Sequence, residues 1–150
     1  MKDIIARCGY RCNLCLAYRE NNRGSEDQVR FSDGLMKYYG YYLPIEKCFC
    51  DGCLAKDGDA IQLVDPGCKV RACVIEKDLE NCACCDDYPC DMLKAKFIHG
   101  DIVMKKLEFP MPPEDYDIFV KPYESQAVLD AIHARVKKRK PGRPRGRKNK

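Results

Sequence analysis

The chain has 150 residues, twelve of them cysteine and none tryptophan, with a formal net charge of +4. No stretch approaches eighteen apolar residues, so no membrane-spanning helix is expected. The first seven positions carry three charges and no apolar run, unlike a secretory signal. The expectation is therefore a cytoplasmic protein, whose thiols stay reduced and serve metal or chemistry, not a disulfide framework.

The positive sum hides an asymmetry. Arg135 to Lys150 carries ten Lys/Arg and no acidic residue, which leaves 17 basic against 23 acidic side chains in residues 1–134, a formal −6. Each zinc held by four thiolates adds about −2 more to that body. Nucleic acid is expected at the tail, since phosphates are met by Lys and Arg.

In chain order, the first cysteine knuckle is Cys8-x3-Cys12-x2-Cys15. Two residues between thiols let both sulfurs of one turn reach a single tetrahedral ion, so such pairs are half-sites of structural metal centres. A short helix over Leu16-Ala17-Tyr18 stops at Asn21-Asn22-Arg23-Gly24. Ser25 and Gln28 resemble a capping box, opening a helix with Val29, Leu35, Met36 and Tyr39 at i+3/i+4 spacing. Gly34 in its middle weakens that helix. Tyr38-Tyr39-Gly40-Tyr41-Tyr42 reads as ring packing over the knuckles, with stacking on bases or a ligand as the other reading.

The second knuckle is Cys48-Phe49-Cys50-Asp51-Gly52-Cys53. Glycine before the closing cysteine suits a turn whose N–H groups face sulfur, because glycine tolerates positive φ. Cys68-x4-Cys73 then leads into a short helix over Val74-Ile75-Glu76-Lys77. The last knuckle is Cys82-Ala83-Cys84-Cys85 with Cys90 beyond it. Pro89 is placed for the first turn of a helix that carries Cys90, Leu93, Lys94 and Phe97 and ends before Gly100. Strand evidence is poor throughout. Phe109-Pro110-Met111-Pro112-Pro113 reads as an extended linker. Ser125 is set to cap a helix over Gln126 to Lys138, striped by Val128, Leu129, Ile132 and Val136.

Fold class follows: a small, irregular, α-rich domain stabilised by metal, its zinc knuckles joined by short helices, plus a C-terminal helix and a disordered basic tail. The expected divisions are residues 1–103 (cysteine-rich), 104–123 (proline-containing linker), 124–138 (amphipathic helix) and 139–150 (tail). So small a unit buries too little apolar surface to dispense with such staples.

Cys8-Gly9-x2-Cys12-x2-Cys15, Cys50-Asp51-Gly52-Cys53, Cys68 with Cys73, and Cys82-x2-Cys85 closing on Tyr88-Pro89-Cys90 resemble the domain-of-unknown-function family 3795 over roughly residues 5–97. The resemblance implies a short zinc-binding fold and no particular reaction. It implies ten ligands: Cys8, Cys12, Cys15, Cys50, Cys53, Cys68, Cys73, Cys82, Cys85 and Cys90. Cys48 and Cys84 match no position of that pattern. Ten ligands favour two zinc ions with thiols left over, while twelve thiols set a ceiling of three four-cysteine sites.

Catalytic zinc keeps an open position and uses His or carboxylate ligands. His99 and His133 both lie outside the cysteine motifs, and no Ser/His/Asp set or phosphate loop appears, so no catalytic residue is assigned. An iron–sulfur cluster is the alternative cofactor, since cysteine holds those too. Cys8-x3-Cys12-x2-Cys15 has the spacing of the radical S-adenosylmethionine cluster motif, but that chemistry needs a β/α barrel of about 200 residues. The bacterial ferredoxin run is absent.

Lys137 to Lys148 resembles the AT-hook of high-mobility-group A proteins around Gly142-Arg143-Pro144, with Pro141 where its strongest examples have arginine. Glycine lets the backbone descend into a minor groove, proline keeps it extended, and arginines follow the electronegative floor. Arg139, Lys140, Arg143, Arg145, Arg147 and Lys148 are the candidate nucleic-acid contacts. A polybasic tail binding DNA or RNA without sequence preference is the simpler reading. The sequence thus describes a non-enzymatic zinc-binding module tethered to nucleic acid, its acidic body free for a protein or other ligand. An iron–sulfur redox protein or electron carrier is the alternative.

Overall fold

The C-x2-C pairs at both ends of the cysteine-rich region fold as single 3-10 turns. In Cys12–Leu14 and Cys82–Cys84 the closing cysteine donates its N–H back to the first carbonyl: Cys15 N to Cys12 O and Cys85 N to Cys82 O, each 3.1 Å. The structure, a computed structural model, describes residues 3–55 and 61–139. Its helices are α1 (Ser25–Tyr39), α2 (Lys69–Glu76), α3 (Asp91–Lys94), α4 (Gly100–Lys106), α5 (Pro113–Phe119) and α6 (Ser125–Arg139), with further 3-10 turns at Ile45–Lys47 and Lys121–Tyr123. No strand occurs among the described residues; isolated bridges join Ile5 to Arg11 and Tyr18 to Cys50. The small, α-rich architecture read from the sequence is the one observed. No helix among the described residues is long and apolar enough to cross a membrane.

Two apolar clusters form the interior. One gathers Ala6, Cys8, Cys12, Val70, Val74, Cys82, Ala83, Leu93 and Leu129. The other gathers Ala17, Phe31, Tyr38, Leu43, Cys48, Val103, Met111, Phe119 and Val120. Cysteine belongs to both, so the thiols are part of the core and not a fringe around it.

Helix α1 differs from the expectation in its cap and its buried face. Gly24 occupies the cap position with no side-chain cap bond, and Ser25 is already helical. The reaching group is Asp27, whose carboxylate accepts from Arg23 N at 2.9 Å. Val29 and Met36 are exposed, and the buried positions are Phe31, Ser32, Gly34 and Tyr38. Gly34 is where the Phe119 ring of α5 lies: a Cβ there would overlap Phe119. The glycine that weakened the helix on propensity is the one that lets α5 approach. Phe31 stacks on Phe119 at 6.2 Å, and Tyr38 tilts against it at 5.6 Å. Tyr39 donates to Phe119 O at 2.6 Å, while Tyr41 and Tyr42 are exposed.

Other boundaries moved as well. The helix expected after Cys73 begins at Lys69, so Cys73 is on α2. Pro89 follows a cis bond from Tyr88 and precedes Cys90, the cap residue of the short α3. Residues 104–123, read as a linker, contain α5, with Pro113 in its first turn where a missing N–H costs nothing. That stretch supplies Met111, Phe119 and Val120 to the second cluster. Ser125 lies inside α6, wholly buried, and its Oγ has no hydrogen-bond partner among the described residues. Of the α6 stripe, Leu129 is fully buried and Ile132 packs beside it. The same helix sits on the last knuckle: His133 Nδ1 donates to Ala83 O at 2.8 Å, and Tyr88 donates to Asp130 at 2.5 Å.

The Gly34–Phe119 approach gives a sharp test. Gly34→Ala is expected to cost about 1–3 kcal/mol through overpacking against an immobile ring. In urea unfolding this appears as a lowered midpoint at unchanged slope. An unchanged midpoint would mean that α1 and α5 do not pack this closely.

Candidate metal centre

The first knuckle is shaped by its own backbone. Ala6 N donates to Tyr10 O at 2.8 Å and Cys12 N to Ile4 O at 2.8 Å, folding residues 4–12 into a loop that carries Cys8 on its inside. The second knuckle is zipped alongside: Cys50 N donates to Ala17 O and Arg19 N to Cys50 O, both at 2.8 Å. Gly52 has the positive φ, +98°, that the sequence leads one to expect, and its N–H points to Cys50 Sγ at 3.3 Å. A Cβ at Gly52 would lie 2.9 Å from the Tyr18 ring, so packing enforces glycine as well. At the head of α2, Cys68 Sγ accepts from Arg71 N at 3.5 Å. Arg71 is itself buried and clamps the second knuckle, donating from Nε to Cys53 O at 2.8 Å and from Nη2 to Ala55 O at 2.7 Å.

These loops bring Cys8, Cys12, Cys15, Cys50, Cys53 and Cys68 around one cavity of about 320 Å³, walled on its apolar side by Phe31, Leu35, Tyr39, Val64 and Ile98. Tyr123 closes it, its hydroxyl 3.0 Å from Cys15 Sγ. The remaining four candidates, Cys73, Cys82, Cys85 and Cys90, surround a separate hollow of about 50 Å³ beneath Val70, Val74 and Leu93. There Asp87 N and Lys77 Nζ both donate to Cys85 Sγ, each at 3.4 Å.

Burial favours the neutral thiol at several of these cysteines. Burial pushes Cys8 and Cys15 up to about 11, and Cys82 to about 12, with neighbouring cysteines adding to the rise. Burial drives Cys53 higher still. A thiolate in such surroundings is costly unless a positive charge meets it. Lys77 is raised by its bond to Cys85, and Lys96 stands within electrostatic reach of Cys68 and Cys8 while bonded to Asp65 at 3.0 Å.

The donors are of the kind a thiophilic ion takes, and Gly52, Arg71 and Asp87 each direct a backbone N–H to a sulfur. The sulfurs ring the two hollows without meeting at a point: among the described residues, no three His, Cys, Asp or Glu side chains are placed so that they could hold an ion.

All ten cysteines singled out from the sequence thus fall in one group or the other. Cys48 is fully buried in the second apolar cluster, its thiol 3.4 Å from Pro44 O, and Cys84 Sγ faces Asn81 Oδ1 at 3.9 Å. His99 occupies the cap position of α4 without a side-chain cap bond, and the His133 ring is bonded to Ala83 O. The Arg139 side chain and Lys140, Arg143, Arg145, Arg147 and Lys148 lie outside the described residues. Sequence reasoning missed Arg71, Lys77, Lys96 and Tyr123. Lys77 was findable, one helical turn after Cys73; Tyr123 reaches Cys15 across 108 residues and left no local trace.

Cys48 and Cys85 separate a core thiol from a candidate ligand. Cys48→Ser is expected to keep the full metal content and lose about 1–3 kcal/mol by burying a hydroxyl. Cys85→Ser is expected to lose about one equivalent of metal. Elemental analysis beside urea unfolding checks both; metal lost from Cys48→Ser would contradict this placement.

The comparisons with known proteins bear on the same region. A family model described as Protein of unknown function (DUF3795) matches residues 4–95, a span that holds all twelve cysteines. No curated protein and no solved structure matches the chain. With more than half of its length inside that model, the chain belongs to the DUF3795 family.

Proposed function

We propose that this protein is a non-enzymatic, zinc-binding module with two structural metal centres, tethered to nucleic acid by its basic C-terminal segment. One observation supports the metal reading: ten thiols gather around two hollows, each with N–H donors aimed at sulfur. All-cysteine surroundings favour closed, structural zinc, because catalytic zinc keeps an open position beside His or carboxylate ligands. Cys12, Cys15, Cys50, Cys53, Cys8 and Cys68 would hold metal in the larger group, and Cys73, Cys82, Cys85 and Cys90 in the smaller. The ions would close loops that otherwise leave buried thiols facing a hollow, so folding and metal binding are one equilibrium. The tether rests on the sequence from Arg139, the last residue of α6, to Lys148, which carries the cationic, Gly-Arg-Pro character of a minor-groove strand. The acidic body is then left for a protein or other ligand.

Elemental analysis of protein purified without oxygen tests the metal arm. Zinc without iron or acid-labile sulfide is the expected result, and a brown protein containing both would replace this reading with an iron–sulfur one. For the tether, the chain cut after Arg139 keeps the whole of α6, and it is expected to retain metal and cooperative melting while losing nucleic-acid affinity. Binding by the full chain should fall with salt at about 0.9 log units per phosphate neutralised. Arg143→Ala should abolish any preference for A·T-rich over G·C-rich duplex, whereas a simple polybasic tail loses only about one unit of salt slope. Undiminished affinity in the shortened chain would refute the tether.

A further inference from the structure

The larger hollow is lined by two kinds of group: thiols, and the apolar side chains of Phe31, Leu35, Tyr39, Val64 and Ile98. An ion taken by thiols sits about 2.3 Å from sulfur, so it engages the sulfurs and leaves the apolar side chains without a partner. Apolar surface left against water is a cost that an apolar occupant removes. The volume, about 320 Å³, lies at the lower end of the roughly 300–1,000 Å³ of small-molecule pockets. That is room for a one- or two-ring molecule.

The chemistry of the lining narrows the class. Tyr10, Tyr39 and Tyr123 all border the hollow, yet each hydroxyl is already engaged by the protein. Tyr10 donates to Lys96 O at 2.7 Å, Tyr39 donates to Phe119 O at 2.6 Å, and the Tyr123 hydroxyl pairs with Cys15 Sγ at 3.0 Å. What these residues offer an occupant is ring surface. Ring surface beside sulfur favours an aromatic guest, because rings pair with rings and sulfur lies well at a ring edge. Among the described residues the lining also holds an ion pair, Lys96 Nζ donating to Asp65 Oδ2 at 3.0 Å. The Asp65 side chain is 57% exposed, and Tyr41, also in the lining, is exposed, which puts the pair at the mouth. An ion pair offers one donor and one acceptor. A hydroxyl or amide satisfies both, whereas Asp65 repels a carboxylate and Lys96 repels an ammonium.

We propose that the larger hollow is a binding site for a small uncharged aromatic molecule, its ring against Leu35, Tyr39 and Ile98 and its single hydroxyl or amide at the Lys96–Asp65 pair. This goes beyond the zinc reading and does not depend on it.

Calorimetric titration of the full-length protein with 4-methylphenol tests it, beside toluene, which lacks the polar head, and 4-methylbenzoate, which carries a charged one. The expected result is saturable one-to-one binding of 4-methylphenol, about tenfold tighter than that of either analogue. Lys96→Met should reduce the affinity to that of toluene, and Leu35→Trp, which fills the hollow, should abolish binding. Should the tryptophan variant not fold, the lysine variant and the two analogues decide alone. No saturable binding of 4-methylphenol, or binding unchanged in Lys96→Met, would overturn the site. Tighter binding of 4-methylbenzoate would overturn the uncharged class. Metal content of the same samples is measured separately, so each of these results leaves the zinc reading to its own test.

Discussion

The backbone bond from Cys82 N to Arg7 O, 3.0 Å long, ties the last knuckle to the first, and much of the architecture is arranged around the loop that accepts it. Arg7 also donates to Glu80 O at 2.9 Å, and Arg11 N to Pro122 O at 2.9 Å. Tyr10 donates to Lys96 O at 2.7 Å. Gly9, at φ +94°, lets Leu129 of α6 come so near that any Cβ would sit 2.6 Å from the leucine Cγ. Segments between residues 80 and 129 thus converge on a loop of nine residues. Its buried thiol, Cys8, lies in the larger group and within reach of Cys82 in the smaller. A glycine with positive φ and a close leucine leaves that loop few alternatives, and this is what a fold with so little apolar interior requires.

Charge follows the same economy. Each thiol group has a lysine beside it, Lys77 at Cys85 and Lys96 near Cys8 and Cys68. The larger has the buried Arg71 guanidinium as well, 8% exposed and bonded to two carbonyls. Arginine suits that position because its planar fork spans two acceptors and it stays protonated when buried. A neutral residue there would take this donor from the Cys53 and Ala55 carbonyls.

What the sequence disclosed was what is local. The C-x2-C turns, the positive φ of Gly52 and the α6 stripe depend on neighbours a few residues away, and pattern suffices for those. Gly34 misled because its reason is Phe119, eighty-five positions on. The Val29/Met36 face was wrong for the same cause: α1 is turned by the rings it meets, not by its own periodicity. The Phe109–Pro113 run looked like a spacer because proline restricts the backbone in a linker and at a helix start alike, and only the burial of Met111 and Phe119 distinguishes the two. The ten cysteines were legible as a set, since spacing marks half-sites; their division six to four was not, because it depends on which loops the tertiary fold lays side by side.

The contacts of residues 119–133 with the first and last knuckles have a consequence for how the molecule is made. Tyr123 on Cys15, Leu129 against Gly9 and His133 over Ala83 all leave the ribosome after the last cysteine, Cys90, has emerged. At translation speeds of about 5–20 residues per second, the thiols of Cys8 and Cys12 wait on the order of ten seconds for their lid. In that interval they are open to ions and oxidants alike. The nascent chain, rather than the finished protein, is the state in which these thiols are most exposed.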